Sequence, residues 1–518
     1  MPGAALDGSD YVILAVYMLA VVCLGSWVGR GQTSTAGYLL AERKSHWFVV
    51  CVSIIATDLS AVSYMGVPGW LYRHDLKYFM ASAFSPLIML LVVVVFVRTY
   101  HRLGVVTVYE YLEHRFHPIS RTVIAVLFLF QRGVWLAGAI YIPCVAVVTT
   151  TRLPLIACIL TLGLLTTLYT VLGGMKAVLW TDFLQFLVLI GGLFVMIGVL
   201  LASFHWDIPG VWAQASRMIA ADSRTPHTTM IDWRFDLWTE AAIWGLFLHL
   251  VTYQMGSYGA DQVIAQRYFT MDNFRRIARS VVGSGFLTVG VVYALAFLGI
   301  LLVVYYDRHP HLAASLNRPD EILPHFVASV LPGGVRGVII AAILAATMSS
   351  VSSALNSFAA VGVMDLYKRH VNPTDPSEAH LTRLAKLTTL VCGIAATLAA
   401  VWVSTFQTTI LQTVASLASK FIGPITGIFL MGALTKRANV VGVIVGAVVG
   451  LVLAILVDYE PLRSNVNWMW IAPLTCLACF VSGYTASLLS PGFGRKGPGA
   501  GMRRTRGGHV ESSGEAHV

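Results

Sequence analysis

The stretch Ala341–Tyr367, AAILAATMSSVSSALNSFAAVGVMDLY, is apolar enough to enter a membrane, yet Ser349, Ser350, Ser352, Ser353, Asn356 and Ser357 lie near its middle. About 20 residues of helix cross the hydrocarbon core, so the stretch is long enough to span it. Ala346, Ser349, Ser350, Ser353 and Ser357 recur at three- and four-residue steps and therefore share one helical face. Hydroxyl and carbonyl oxygens suit a hard, weakly held cation. The same small residues also suit close packing between membrane helices. Taken alone, the stretch leaves both readings open.

The rest of the chain is of one kind. Of its 518 residues, 57% are hydrophobic and only 12% charged, where soluble domains carry roughly a quarter charged. The sequence is that of an all-α polytopic membrane protein. Apolar runs fall near 11–29, 47–70, 76–97, 120–148, 155–173, 178–204, 238–257, 277–305, 337–366, 384–403, 408–434, 440–457 and 467–489, about 13 transmembrane helices at the spanning length. With the N-terminus outside, most lysines and arginines fall in the loops then predicted cytoplasmic, as the positive-inside rule requires. The net charge of +10 thus sets topology, and no nucleic-acid partner is implied. An odd number of spans leaves the C-terminus in the cytoplasm. This is a multi-pass protein of the plasma (inner) membrane, with the lipid bilayer as its surroundings and no obligatory protein partner evident.

The start, MPGAALDGSD, has no basic region of the kind that precedes a cleaved signal. Cys476 and Cys479 have CxxC spacing, but without a second pair or a histidine cluster they read as helix packing. Residues 1–490 form a single transmembrane domain, and 491–518, rich in Gly, Arg and Ser, reads as a disordered cytoplasmic tail. The polar loop His205–Leu237 is long enough to be partly helical, and Asp320–Val330 after Pro319 predicts a short helix.

Two spans look interrupted. In the second, Ala56-Thr57-Asp58-Leu59-Ser60 lies at mid-membrane, followed by Gly66, Pro68 and Gly69. In the seventh, Gln254, Gly256, Ser257 and Gly259 gather before Asp261. Irregular backbone at membrane depth is tolerated where it lines a cavity. Paired broken helices in corresponding halves point to a transporter's binding site. The halves are about 46–204 and 238–435, with 440–489 accessory.

Four segments carry a resemblance: YTVLGGMKAVLWTDFLQ (Tyr169–Gln185), GADQVIAQRYFT (Gly259–Thr270), AATMSSVSSALNS (Ala345–Ser357) and GPITGIFLMGALTKRAN (Gly423–Asn439). In order and spacing they resemble the sodium:solute symporter family, which carries sugars, proline, pantothenate, monocarboxylates and sialic acid. The resemblance implies a LeuT-type 5+5 inverted repeat with one extra N-terminal helix, and sodium-driven import of a small organic solute by alternating access. It implies a first sodium site made by backbone carbonyls of Ala56, Leu59 and Ala346 with the hydroxyls of Ser349 and Ser350. A second sodium site, present in some members, would match Asp182 with Ser349, Ser352 and Ser353. Asp182 lies in an apolar helix, where a charge costs about 3 kcal/mol and demands a partner; capping or hydration near a helix end is the other reading. A second sodium would add about 2.3 kcal/mol of driving force per 100 mV.

The solute positions that match are Asp58, Ser60, Ser63, Tyr78, Ser82 and Arg132 or Trp135. Proline-type members also have an aspartate at Asp58, whereas the sialic-acid branch has threonine there and glutamine at Ser82. Arg132, inside LFLFQRGVWLAG, suits a carboxylate because a guanidinium donates in a fork. It could equally pair with Asp58 or reach toward the cytoplasmic face. A monocarboxylate or sugar acid fits if Asp58 is otherwise occupied; an amino acid fits if Asp58 faces its ammonium. Lys420 is a third buried candidate charge, as an anion contact, a structural partner or a tethered stand-in for a cation. His249 reads as a hydrogen-bonded packing residue rather than a proton carrier. No nucleophile–base pair or metal cluster suggests an enzyme. A proton-driven transporter and a transporter-like sensor with a separate partner are the alternative functions.

Overall fold

The computed structural model describes residues 6–491 apart from 33, 152, 236–240, 315, 317–320, 374–375, 406–419, 458 and 460–465. The main helices are α1 (Gly8–Val28), α2 (Trp47–Asp58), α3 (Ala61–Arg73), α4 (Lys77–Leu103), α5 (Pro118–Thr151), α6 (Leu155–Ser203) and α7 (Ile243–Gly259). Then follow α8 (Phe274–Arg308), α9 (Val335–Val371), α10 (Glu378–Val403), α11 (Ile422–Leu434), α12 (Val440–Leu456) and α13 (Trp468–Leu489). Eight of these are long and apolar enough to cross a membrane alone, and α2 with α3 makes a further span bent by 60°.

Two apolar runs of the sequence, 155–173 and 178–204, join into the 49-residue α6. A straight helix of that length would be about 74 Å long, more than twice the hydrocarbon thickness. Gly174, at φ +54° and ψ −153°, breaks it into two legs. A Cβ there would come within 2.5 Å of the Tyr38 carbonyl, so the turn needs glycine both for its φ and for its contact.

The N-terminal part of the expected span 408–434 lies outside the described residues, as does the tail beyond Pro491. The seventh span differs from expectation. α7 stays helical through Gln254, Gly256 and Ser257 to Gly259, and the interruption comes at Ala260–Asp261. Its glycines serve packing: a Cβ on Gly256 would collide with the Thr426 side chain, and one on Gly259 with the Phe96 ring. The two polar loops are partly helical, over Ile208–Ala215 and Ile322–Ser329. The first is pinned to the turn between α3 and α4 by Arg73–Asp222 at 2.7 Å and by His227 Nδ1 against the His74 carbonyl at 2.9 Å.

The serine-bearing helix is the axis of the bundle. In α9, 94% of the apolar window is buried, against 22% in α1. Its middle, Ile339–Phe358, contributes to one hydrophobic cluster, and Ala359–Val363 contributes to a second. Charges fasten both ends. Asp10 of α1 accepts from the Gly334 and Gly337 amides at 2.8 Å and from Arg336 at 3.1 Å. At the other end Asp365 accepts from Arg121 Nε at 2.6 Å and Thr107 Oγ1 at 2.7 Å.

Around this axis the helices meet through small residues, because lipid supplies no hydrophobic drive between them. α6 and α10 dock reciprocally: a Cβ on Gly163 would collide with the Thr397 side chain, and one on Gly393 with that of Thr167. Gly393→Val is expected to cost about 1–3 kcal/mol by overpacking, read as a lower melting temperature of the purified protein. Thr167→Ala in the same chain is expected to recover part of that loss.

Candidate functional site

α2 and α3 are separated by Leu59 and Ser60, both extended, so the carbonyls ending α2 have no following helical turn to bond to. α9 supplies donors to them. Ser349 Oγ donates to the Ala56 carbonyl at 2.6 Å and Ser350 Oγ to the Thr57 carbonyl at 3.0 Å. Both hydroxyls also reach the Ala346 carbonyl, at 3.1 and 3.2 Å. Four of the five residues expected at a first sodium site are thereby gathered, with Leu59 buried at the adjoining break. Thr57 joins them unannounced by the motif. The cluster is neutral and made only of oxygens, the donor set of a hard cation. Among the described residues no group of three His, Cys, Asp or Glu could hold a transition metal.

One helical turn toward the C-terminus of α9 lies a second polar cluster, and its central residue is Arg267. By sequence, Arg267 counts among the basic charges of a cytoplasmic loop. Instead it is 1% exposed. Its guanidinium donates to Asp182 Oδ2 at 2.8 Å, to Ser53 Oγ at 2.8 Å, and to the Thr57 and Ser353 hydroxyls. Ser53 passes a further bond to Asp182 Oδ2 at 2.5 Å. Asp182 is thus partnered inside the bundle rather than capped or hydrated at a helix end. The demand of a buried carboxylate for a counter-charge is the one sequence signal that could have found Arg267. Ser352 and Ser353 turn their hydroxyls back to the Ser349 carbonyl at 3.1 and 2.6 Å. Asp182 Oδ1 and Gln185 Oε1 are buried with no hydrogen-bond partner.

The expected solute residues divide between two cavities. One, of about 230 Å³, lies between the broken span and α4, α7 and α8, and is lined by Asp58, Ser63, Tyr78 and Ser82 together with Tyr253 and Gln254. Tyr258 donates its hydroxyl to Asp58 Oδ2 at 2.9 Å, while Ser82 Oγ donates to the Phe79 carbonyl at 2.7 Å. The other, of about 220 Å³, lies between α3, α5 and α9 and includes Ser60, Trp135 and Ser350.

Arg132 lines neither cavity. It pairs with Asp261, not with Asp58, and lies 5.1 Å over the Trp135 ring. Asp261 is available because it starts the turn after α7, where its other oxygen accepts from the Val263 amide at 2.9 Å. His249 holds the Met469 carbonyl at 3.1 Å and stacks on Tyr253, and it also lines the cavity that holds Asp58. Lys420 is buried. Cys479 donates its thiol to the Pro424 carbonyl at 3.3 Å, and both cysteines of the CxxC pair are free.

Residues 38–450 match the sodium:solute symporter family. The chain belongs to that family. Its relatives include the sodium/sialic acid symporter of Proteus mirabilis, 28% identical over 93% of this chain and 95% of the relative. They also include the sodium-dependent multivitamin transporter of Oryctolagus cuniculus, 32% identical over 86% of this chain and 69% of the relative. The solved outward-open, substrate-bound Na+-coupled sialic acid symporter superposes with a TM-score of 0.83 at 27% identity, covering 93% of this chain and 98% of that one. The fold is therefore the all-helical LeuT type, and the activity is sodium-coupled symport of a small solute across a membrane, not enzymatic catalysis.

Breaking a buried ion pair on one side leaves an uncompensated charge, at a cost of about 3–5 kcal/mol. Arg267→Gln and Asp182→Asn are each expected to lower stability by that order, read as a melting temperature. The double variant is expected to lose much less than the sum, because neither charge is then orphaned.

Proposed function

We propose that this symporter imports a small carboxylate-bearing solute, using the oxygen cluster of Ala56, Leu59, Ala346, Ser349 and Ser350 as its first sodium site. The observation that carries the reading is the convergence of Ser349 and Ser350 on the carbonyls that the break of α2 sets free. Each hydroxyl now donates to those carbonyls. An arriving sodium would take the hydroxyl and carbonyl oxygens together and replace the bonds between them. Because α2 and α9 both supply ligands, sodium would hold the two elements in one relative position and so order the cavity beside Asp58. By linkage, solute then tightens sodium binding by the same factor.

The solute would occupy the cavity lined by Asp58, Ser63, Tyr78 and Ser82, with Ser60 and Trp135 bordering the neighbouring one. Arg132, engaged by Asp261, is a positioning residue of the α5–α7 contact in this reading. The carboxylate would instead meet sodium and the amides at the start of α3, where the helix dipole is positive.

A second sodium has one specific observation in its favour, the unpartnered and buried Asp182 Oδ1. Arg267 holds the opposite oxygen, and a cation shared with Ser349, Ser352 and Ser353 would have to displace the bond from Arg267 to Ser353.

Transport would proceed by rocking of two five-helix units, about 46–204 and 238–435, around this site in an inner membrane, N-terminus outside. Opening toward the cytoplasm would separate bonds that cross between the two units beside the segment after α7, such as the Val108 amide to Gln262 Oε1 at 2.9 Å.

Ser350→Ala is expected to raise the sodium concentration for half-maximal uptake by tenfold or more, about 1.4 kcal/mol, in proteoliposomes with a fixed solute. Unchanged sodium affinity would remove Ser350 from the site. Uptake driven by a pH gradient without sodium would move the reading to proton coupling.

A further inference from the structure

The charge that faces the solute cavity is negative. Asp58 lines it, and no lysine or arginine is among the residues that line it. Arg132 lies within electrostatic reach of Asp58, but its direct contacts are with Asp261 and the face of Trp135 rather than with the cavity. A carboxylate left in a largely apolar cavity attracts a cation or a strong hydrogen-bond donor, and repels a second carboxylate placed beside it.

The surroundings of Asp58 sharpen this. It is the last residue of α2, so its carboxylate sits at the negative end of that helix dipole. Three residues on, α3 begins with its positive end at the same break. The break is therefore bipolar over a few ångströms, negative at Asp58 and positive at the first amides of α3. Tyr258 donates to one oxygen of Asp58 and fixes its direction. Tyr78, Phe79 and Tyr253 add aromatic rings to the cavity wall, and ring faces attract cationic nitrogen. At about 230 Å³ the cavity is below the roughly 300 Å³ at which sites for drug-sized ligands begin.

We propose that the transported solute is a small zwitterion, an amino acid or N-substituted amino acid, whose cationic nitrogen is received by Asp58 while its carboxylate faces sodium and the start of α3. This inference rests on the symport reading above and narrows its solute class. With one sodium bound, a solute of no net charge suits the site. Asp58 offsets the ammonium, and the sodium offsets the carboxylate, so no charge is left unpaired in the membrane interior.

The test is thermal unfolding of the purified full-length protein in sodium chloride and in potassium chloride. The panel is the common amino acids and glycine betaine, each amino acid set against its α-hydroxy acid, with N-acetylneuraminate alongside. At least one amino acid is expected to stabilise the protein only in sodium, at a concentration at least tenfold below that needed for its hydroxy-acid partner. Asp58→Asn is expected to weaken that amino acid at least tenfold while sodium alone still stabilises. Sodium-dependent stabilisation by hydroxy acids or N-acetylneuraminate at equal or lower concentrations overturns the proposal, as does no response to any amino acid or to glycine betaine. If sodium chloride and potassium chloride are also indistinguishable throughout, the symport reading fails with it.

Discussion

The ion pair between Arg267 and Asp182 fixes the relation of the parts that make the site. Two opposite charges lie where neither has water, and each must find its partner inside the protein. Asp182 comes from the second leg of α6 and Arg267 from the turns after α7, while the hydroxyls completing their shell come from α2 and α9. Four segments distant in sequence are thereby held within hydrogen-bond reach of one guanidinium. Thr57 belongs to this cluster through its hydroxyl and to the oxygen cluster at the break of α2 through its carbonyl. Movement of the break in α2 is thus felt at Arg267, and movement of the α7 junction is felt at the oxygen cluster.

The break between α2 and α3 is tolerated for a related reason. An interrupted helix at membrane depth frees carbonyls at one end and amides at the other, and each free group costs energy unless met. The α9 hydroxyls satisfy the carbonyls, and Ser60 turns its own hydroxyl to the Ser63 amide at 3.4 Å. These hydroxyl–carbonyl bonds are neutral and modest, so an ion can replace them at little net cost. A charged ligand in place of Ser349 or Ser350 would hold a cation more tightly but release it poorly.

Much of this is legible in the amino-acid sequence. The serine face of α9, the interruption at Ala56–Ser60 and the anomalous Asp182 each violate the composition expected of a lipid-facing helix, and such violations stand out against an apolar background. The pairings are not legible there. Arg132 and Asp58 look complementary as two buried charges of opposite sign, yet Asp261 lies at a helix start that faces Arg132. Arg267, close to Arg275 and Arg276 in sequence, reads as a topology signal although its side chain points inward. Charge in a membrane protein announces that a partner exists; only the tertiary fold says which. The glycines of α7 are ambiguous for a similar reason. A glycine that breaks a helix and one that admits Phe96 or Thr426 look alike in one dimension.

Close packing of the serine-rich helix and a supply of oxygen ligands from it are compatible demands. α9 can reach the α2 carbonyls because its face carries only Ala and Ser there, letting the backbones approach. A bulkier residue at Ala346 would separate the helices and withdraw both hydroxyls from the carbonyls at once. Smallness supplies the proximity and the hydroxyl supplies the chemistry. Serine is a side chain that meets both demands without adding charge, and its repetition at three- and four-residue steps allows one face to serve the oxygen cluster at the α2 break and the Arg267 cluster in successive turns. The two clusters are thereby joined through one helix face and the shared Thr57.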